Sequence, residues 1–252
     1  MTGASVSPLS RRDRLRADTV REIKETARRV LVDQGVDGLA LRAVAREMGM
    51  SAPALYRYFD SREDLVENVV ADLYDELVGV LEAARDAARP ATAPVQLLAS
   101  ARAFRRWAIT HHAEFGLLFG SAGDGVVPAH GKSATDDSLA QLAARRFGAV
   151  FAVLVARIYE ERGFPIPADE EIAPDLQAQL LEWCTKFPVP LPLGVMQVFL
   201  SCWIRLYGLV CMEIFGHLKF AVADAGPMFE AELHSLAEVL GVADDYADVE
   251  RA

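Results

Sequence analysis

Cysteine is scarce. The 252-residue chain has three, Cys184, Cys202 and Cys211, an odd number with no CxxC pair. Neither a disulfide framework nor a paired-thiolate zinc site is supported, and reduced thiols in a cytoplasmic protein are the expectation. The opening MTGASVSPLSRRDRLR lacks the apolar core of a signal peptide. Long apolar runs are few. The longest uncharged one, Phe187 to Ile204, carries Pro188, Pro190 and Pro192 near one end, and Arg205 and Glu213 interrupt the apolar stretch beyond it. It reads as a loop entering a buried helix, so no membrane partner is expected. Nucleophile elbow, P-loop and dinucleotide fingerprint are all missing, and the glycine-rich Gly120 to Gly125 comes after a helical stretch instead of a strand. His111, His112 and Glu114 come nearest to a metal motif, but no third ligand stands at zinc spacing. No enzymatic activity, metal or cofactor is expected.

An excess of positive charge is also missing: 26 Lys and Arg stand against 36 Asp and Glu, a net charge of −10. That excludes a uniformly basic nucleic-acid coat. The distribution is uneven, however. Residues 1–62 carry 12 basic and 8 acidic side chains, whereas residues 63–252 carry 14 and 28. A small basic head on a large acidic body suggests a localised anion-binding surface, with chance clustering as the other reading.

The chain is rich in helical periodicity, with little two-residue alternation. The spacing predicts a first helix from about Asp13 to Gln34, stopped by Gly35, then short helices from Leu41 to Met48 and after Ser51. A longer helix starts after Asp60-Ser61, where two overlapping capping boxes are possible, and runs to about Arg89. Further helices are predicted over about 95–112, a short stretch to Phe119, and over about 138–162, 175–186, 193–217 and 227–240. Residues 121–137, rich in Gly, Ser and Asp, read as a mobile loop. The charges Arg205 and Glu213, in an apolar helix, are expected to pair with charges on other helices.

The segment 41–62 is the most specific. Ala45 is small enough for a second helix to cross closely, Gly49 can adopt the left-handed conformation of a tight inter-helix turn, and Val44, Met48 and Leu55 supply shared apolar contact. Ser51 is positioned to cap the next helix and Pro53 lies in its first turn. This is helix-turn-helix spacing, in which the second helix enters the DNA major groove. Ser51, Ala52, Pro53, Ala54 and Arg57 are the candidates for base edges, and Tyr56 and Tyr58 for the backbone. Arg42 and Arg62, near helix N-termini, are candidates for phosphate.

With Leu55-Tyr56-Arg57-Tyr58-Phe59 followed by Asp60-Ser61-Arg62-Glu63-Asp64-Leu65, the stretch from about Val20 to Val69 resembles the N-terminal domain of the TetR family of bacterial transcriptional regulators. Members show an Ala, a Gly, LYxxF and a Ser-Lys-x-x-Leu-like start to helix four. Arg62 replaces the usual Lys and preserves the charge. Trp107 to Gly120 and Trp203-Ile204-Arg205-Leu206-Tyr207-Gly208 resemble a C-terminal subtype marked by Trp-x3-His-Gly, with Tyr207 where the His is usual.

The resemblance implies an all-α protein: a three-helix DNA-binding head (residues 1–62, with a basic N-terminal arm) joined by a long helix to a helical effector-binding and dimerisation body (residues 63–252). It implies a homodimer through the last two long helices, a double-stranded operator as partner, and a small-molecule effector. Helix 227–240 fits, with Phe229, Leu233, Leu236, Val239 and Leu240 on one side. Trp107, His111, Phe115, Phe119, Phe151, Tyr159, Met196, Trp203 and Tyr207 are the candidate lining of a cavity for an apolar or aromatic effector, ordinary core packing being the other reading of each. The expected function is repression at a palindromic operator, released when the effector shifts helix four. A helical DNA- or protein-interaction module without effector, or an activator, is the alternative. The arm Ser10 to Arg16 either reaches a minor groove or is a solvated tail.

Overall fold

The computed structural model describes residues 10–120, 138–185 and 190–246. The expected mobile loop, residues 1–9 of the arm and Lys186 at the expected end of a helix lie outside the described residues. Among the described residues every regular element is helical: α1 (Arg11–Gly38), α2 (Leu41–Glu47), α3 (Ala52–Leu55), α4 (Arg62–Ala87), α5 (Ala93–Thr110), α6 (His112–Phe119), α7 (Leu139–Arg162), α8 (Pro174–Cys184), α9 (Leu193–Ile214) and α10 (Gly226–Val239). A short 3₁₀ turn, Asp169–Glu171, precedes α8.

The helix boundaries have local chemical causes. Ser10 Oγ accepts the Asp13 N–H at 3.2 Å, so α1 starts at Arg11 and the basic stretch expected as an arm forms its exposed first turns. Gly35 takes φ 70°, which breaks the regular helix where expected, although a further turn continues to Gly38. At the start of α4, Ser61 Oγ accepts the Asp64 N–H and the Asp64 carboxylate accepts the Asp60 N–H, both at 3.0 Å. That is one reciprocal cap in place of two overlapping boxes. At His111 the backbone leaves helical geometry (φ −128°, ψ 51°), which separates α5 from α6.

The described residues form two compact units. The first takes those up to Leu73 with those of Ala113–Leu142; the second takes Tyr74–His112 and those from Ala143 onward. The division therefore falls inside α4 and not at the expected boundary after Arg62. Leu65, Val66 and Val69 are buried, so the first half of α4 completes the core of the head. Glu114 of α6 holds Arg28 of α1 at 3.0 Å, and the Leu139 N–H donates to Glu67 of α4 at 2.8 Å, which ties the later segment to the same unit.

In the second unit, α9 packs against α5, α8 and α10. Phe104, Phe147, Phe151 and Trp203 form an aromatic cluster, with ring centroids 5.6 Å apart for Phe104–Phe147 and 5.4 Å for Phe147–Trp203. The charges of α9 find partners on other helices, as expected: Arg205 meets Glu232 of α10 at 2.5 Å and Glu213 meets Arg105 of α5 at 2.6 Å. Helices α7 and α9 are long and apolar enough to cross a membrane by length and composition. Along α10, Phe229, Leu233, Leu236 and Leu240 are buried, but Val239 is 38% exposed and leaves the expected inward stripe.

Candidate nucleic-acid interface and effector cavity

The turn between α2 and α3 is closed by the backbone. Gly49 sits at φ 66°, its N–H reaches the Arg46 carbonyl at 3.1 Å, and the Met50 N–H reaches the Ala45 carbonyl at 2.8 Å. This paired closure needs a left-handed residue where Gly49 stands. Val44, Ala45 and Leu55 are buried at the crossing of the two helices, and Met48 is half-buried. The α3 helix is only four residues long, but turns continue its winding: the Tyr58 N–H donates to the Leu55 carbonyl at 2.9 Å and the Phe59 N–H to the same carbonyl at 3.3 Å. Leu55 and Phe59, one turn apart, are its buried anchors. Ser51, Pro53, Tyr56 and Arg57 are exposed, while Ala52, Ala54 and Tyr58 are half-buried.

Ser51 is the N-cap residue by backbone geometry, but its side chain makes no capping bond. Its hydroxyl is left for another partner, a correction to the capping role expected for it.

The charges around this turn are one-sided. Between residues 41 and 59 the cations are Arg42, Arg46 and Arg57, and the sole acid is Glu47. Glu47 turns to Arg29 of α1 at 3.1 Å. The side chains of Arg42, Arg46 and Arg57 are exposed and have no carboxylate partner among the described residues. Arg42 and Arg46 are four residues apart, so they share one exposed face of α2, beside the buried Leu41, Val44 and Ala45. Arg46 is not among the residues expected from sequence; its i, i+4 relation to Arg42 was the available signal. Arg62 is placed differently: its Nε donates to the Leu39 carbonyl at 2.9 Å, tying the start of α4 to the loop before α2. Arg16, expected in a loose arm, is a second tie. Its guanidinium donates to the Arg57 carbonyl at 3.3 Å and lies 5.1 Å from the centre of the Tyr58 ring.

The nine candidate effector residues do not converge on one space. Trp107 donates Nε1–H to Glu76 at 3.1 Å and stacks on His111 with centroids 4.9 Å apart. Phe115 and Phe119 contact each other at 4.8 Å in the first unit. Tyr159 packs on Phe164, Met196 is buried with Ile172 and Leu180, and Tyr207 stacks on Trp203 at 5.5 Å. Phe151 and Trp203 alone among the nine line a cavity of about 50 Å³ in the second unit, between α5, α7, α9 and α10. Leu98, Ala101, Val155, Cys202, Leu206 and Leu236 are among its other walls. Helix α4 contributes no wall. It is reached one step away, through Tyr74 against Phe147 of α7 at 5.9 Å and Glu76 bonded to Trp107 of α5. Burial pushes the Cys202 thiol up to about 11, so it stays neutral at physiological pH.

An outward face of α3 flanked by arginines with no carboxylate partner among the described residues defines the class: a helix-turn-helix DNA-binding protein. Comparison with known proteins agrees. The family model for bacterial regulatory proteins, tetR family, matches residues 23–69, and that for a tetracyclin repressor-like C-terminal domain matches residues 97–236. The HTH-type transcriptional regulator Rv1816 of Mycobacterium tuberculosis is 34% identical over 224 residues, 87% of this chain and 91% of that one. The HTH-type transcriptional repressor KstR2 of Mycolicibacterium smegmatis is 32% identical over 91 residues, 36% of this chain and 39% of that one. The crystal structure of the regulatory protein SCO4313 superposes with TM-score 0.68 at 30% identity, over 90% of this chain and 98% of the other. The chain belongs to the tetR family of bacterial regulatory proteins, and its domains and relatives are those of a DNA-binding transcriptional regulator, not of an enzyme.

Proposed function

We propose that this regulator is a cytoplasmic repressor that binds an inverted-repeat operator as a homodimer and leaves it when a small apolar ligand occupies the second unit. The observation that carries the reading is the set of exposed cations Arg42, Arg46 and Arg57 beside the outward face of α3, from which the local acid Glu47 is withdrawn. In this reading Ser51, Ala52, Pro53, Ala54 and Arg57 meet base edges. Tyr56, Tyr58, Arg42 and Arg46 meet the backbone. Arg62 and Arg16 position the elements that carry them.

The dimer uses the apolar surface that intramolecular packing leaves uncovered. On α9, Ile204 is 60% exposed, with Met212 and Phe215 exposed on the same side at helical spacing, and Met228 and Val239 are exposed on α10. Two-fold pairing of these faces gives two heads, and half-sites about one helical turn or a multiple apart, roughly 34–36 Å for one turn. The repressor sign is supported by the KstR2 relative, which is named a repressor. A ligand bearing on α5 or α7 is transmitted to α4 through Trp107–Glu76 and Phe147–Tyr74. It acts only if it binds one arrangement of the heads better than the other.

The test is selection of random duplexes with the full chain, with mass measured in solution. Enrichment of an inverted repeat by a dimer supports the proposal. Enrichment of a single half-site by a monomer contradicts it.

A further inference from the structure

We infer that Arg12, outside the helix-turn-helix, is a further contact to the DNA backbone, placed by the first turn of α1 beside the C-terminal end of α3. The contact rests on the DNA-binding reading above and adds a residue to that surface. Arg12, Arg16, Thr19 and Ile23 recur at i, i+4, i+7 and i+11, which is one face of α1. Burial rises along that face: Arg12 and Arg16 are exposed, Thr19 is half-buried and Ile23 is fully buried. The face that enters the core of the head therefore carries Arg12 at its projecting end. Arg16 fixes where that end lies. Its guanidinium donates to the Arg57 carbonyl at 3.3 Å and lies 5.1 Å from the centre of the Tyr58 ring, so it is engaged within the protein. Arg12 is one turn further out on the same side, and no carboxylate pairs with it among the described residues.

The opposite face of the same turns is chemically different. Arg14, Asp18, Arg21 and Glu25 follow it, all exposed, and Arg21 meets Asp18 at 2.9 Å and Glu25 at 3.8 Å. Alternating charge of this kind is an ordinary solvated helix face. Asp13, the sole acid between residues 11 and 17, is held by Ser10, whose Oγ donates to its carboxylate at 2.7 Å. Residues 10–18 are all exposed, Leu15 at 59%. Apolar packing thus gives no reason for α1 to run two turns beyond the core, and so short a helical extension gains little from its own hydrogen bonds. A phosphate on Arg12 supplies the reason. Because the stretch is helical from Arg11 and tied at Arg16, it presents a charge at a fixed place, as a backbone contact requires, and is not the loose arm that enters a minor groove.

The experiment measures the affinity of the full chain for its selected duplex from 50 to 200 mM salt. Arg12→Ala is expected to lower the slope of log affinity against log salt by about 1 per half-site. The advantage of the wild type over the variant then shrinks about 3.5-fold per half-site across that range. Arg12→Lys is expected to restore the slope, since a phosphate requires only the charge. Arg14→Ala, which removes an equal charge from the other face of the same turns, is expected to leave it unchanged. Replacing single phosphates by neutral methylphosphonates is expected to find one linkage per half-site whose loss weakens the wild type and not Arg12→Ala. An Arg12→Ala slope equal to that of the wild type overturns the contact, and so does an equal drop in Arg14→Ala, which marks a general effect of charge. Failure of Arg12→Lys to restore the slope also overturns it, and dependence of wild-type affinity on flanking A·T pairs then marks a minor-groove arm. A wild type that binds no duplex overturns the DNA-binding reading itself and the contact with it.

Discussion

In the second unit, Arg102, Arg105, Arg162 and Arg205 end on Glu230, Glu213, Asp245 and Glu232, carboxylates from other segments, at 2.5 to 2.7 Å. In the first unit, Arg42, Arg46 and Arg57 end in solvent, and Glu47, which is close in sequence, is turned to Arg29. Arg28 and Arg29 of the first unit also meet carboxylates, so the contrast with the body is carried by Arg42, Arg46 and Arg57, which have no carboxylate partner among the described residues. Charge counts alone hide this distinction, because the direction in which each carboxylate is aimed decides it.

The sharpest break of that comparison is Glu213→Gln. It strands Arg105 at a site where the pair is only 19% and 15% exposed, so unfolding free energy is expected to fall by about 3 kcal/mol in urea titration. Operator affinity well below the unfolding midpoint should hardly change. An equal loss of both would show that the body's arginines also serve DNA. Arg57→Ala should do the converse. Operator binding is expected to weaken by about 1–3 kcal/mol in an anisotropy titration, with Tm unmoved because the side chain has no tertiary partner among the described residues.

Gly49→Ala tests the turn that aims the head's cations. Nothing lies within 4 Å of the added carbon, so the expected loss of about 1–2 kcal/mol in thermal unfolding is backbone strain alone. Gly49→Asn is expected to recover part of it. Smaller still, Arg42→Ala and Arg46→Ala should each lower the slope of log affinity against log salt by about 1, and lysine at either position should restore it.

The smallest effect concerns acid. Arg102, and then the Tyr246 hydroxyl, hold the Glu230 carboxyl below its ordinary pKa of 4.5. The carboxylate is therefore favoured in the folded state. Its contribution is complete above pH 4.5 and is lost as pH falls through the lower folded-state value. Urea midpoints measured downward from pH 5 should show a slope that Glu230→Gln reduces.

Much of the head was legible in sequence because its signals are local. Gly49 requires one conformation within one turn, Ser61 accepts the Asp64 N–H while the Asp64 carboxylate accepts the Asp60 N–H, all within five residues, and Leu55 and Phe59 share a face by helical period alone. The pairing of Arg205 and Glu213 was also predictable in kind, since ions in an apolar helix require partners. The cavity was not legible. An aromatic residue at helical spacing announces burial but not which helix it meets, and Phe115, Tyr159 and Met196 went to separate contacts. The cavity's actual walls are chiefly aliphatic, with no sequence signal to set them apart from core. The unit boundary inside α4 was hidden for a similar reason, because the apolar stripe runs on without interruption from Leu65 through Leu73 to Leu81.

The measurement closest to the central claim is competitive binding of the full chain to its selected duplex against a scrambled duplex of equal length and composition, repeated over a salt series. The account predicts a preference of about a thousandfold or more that persists as total affinity falls with salt, and that shrinks by about 5- to 150-fold in Arg57→Ala. Equal binding to both duplexes at modest ionic strength would contradict it.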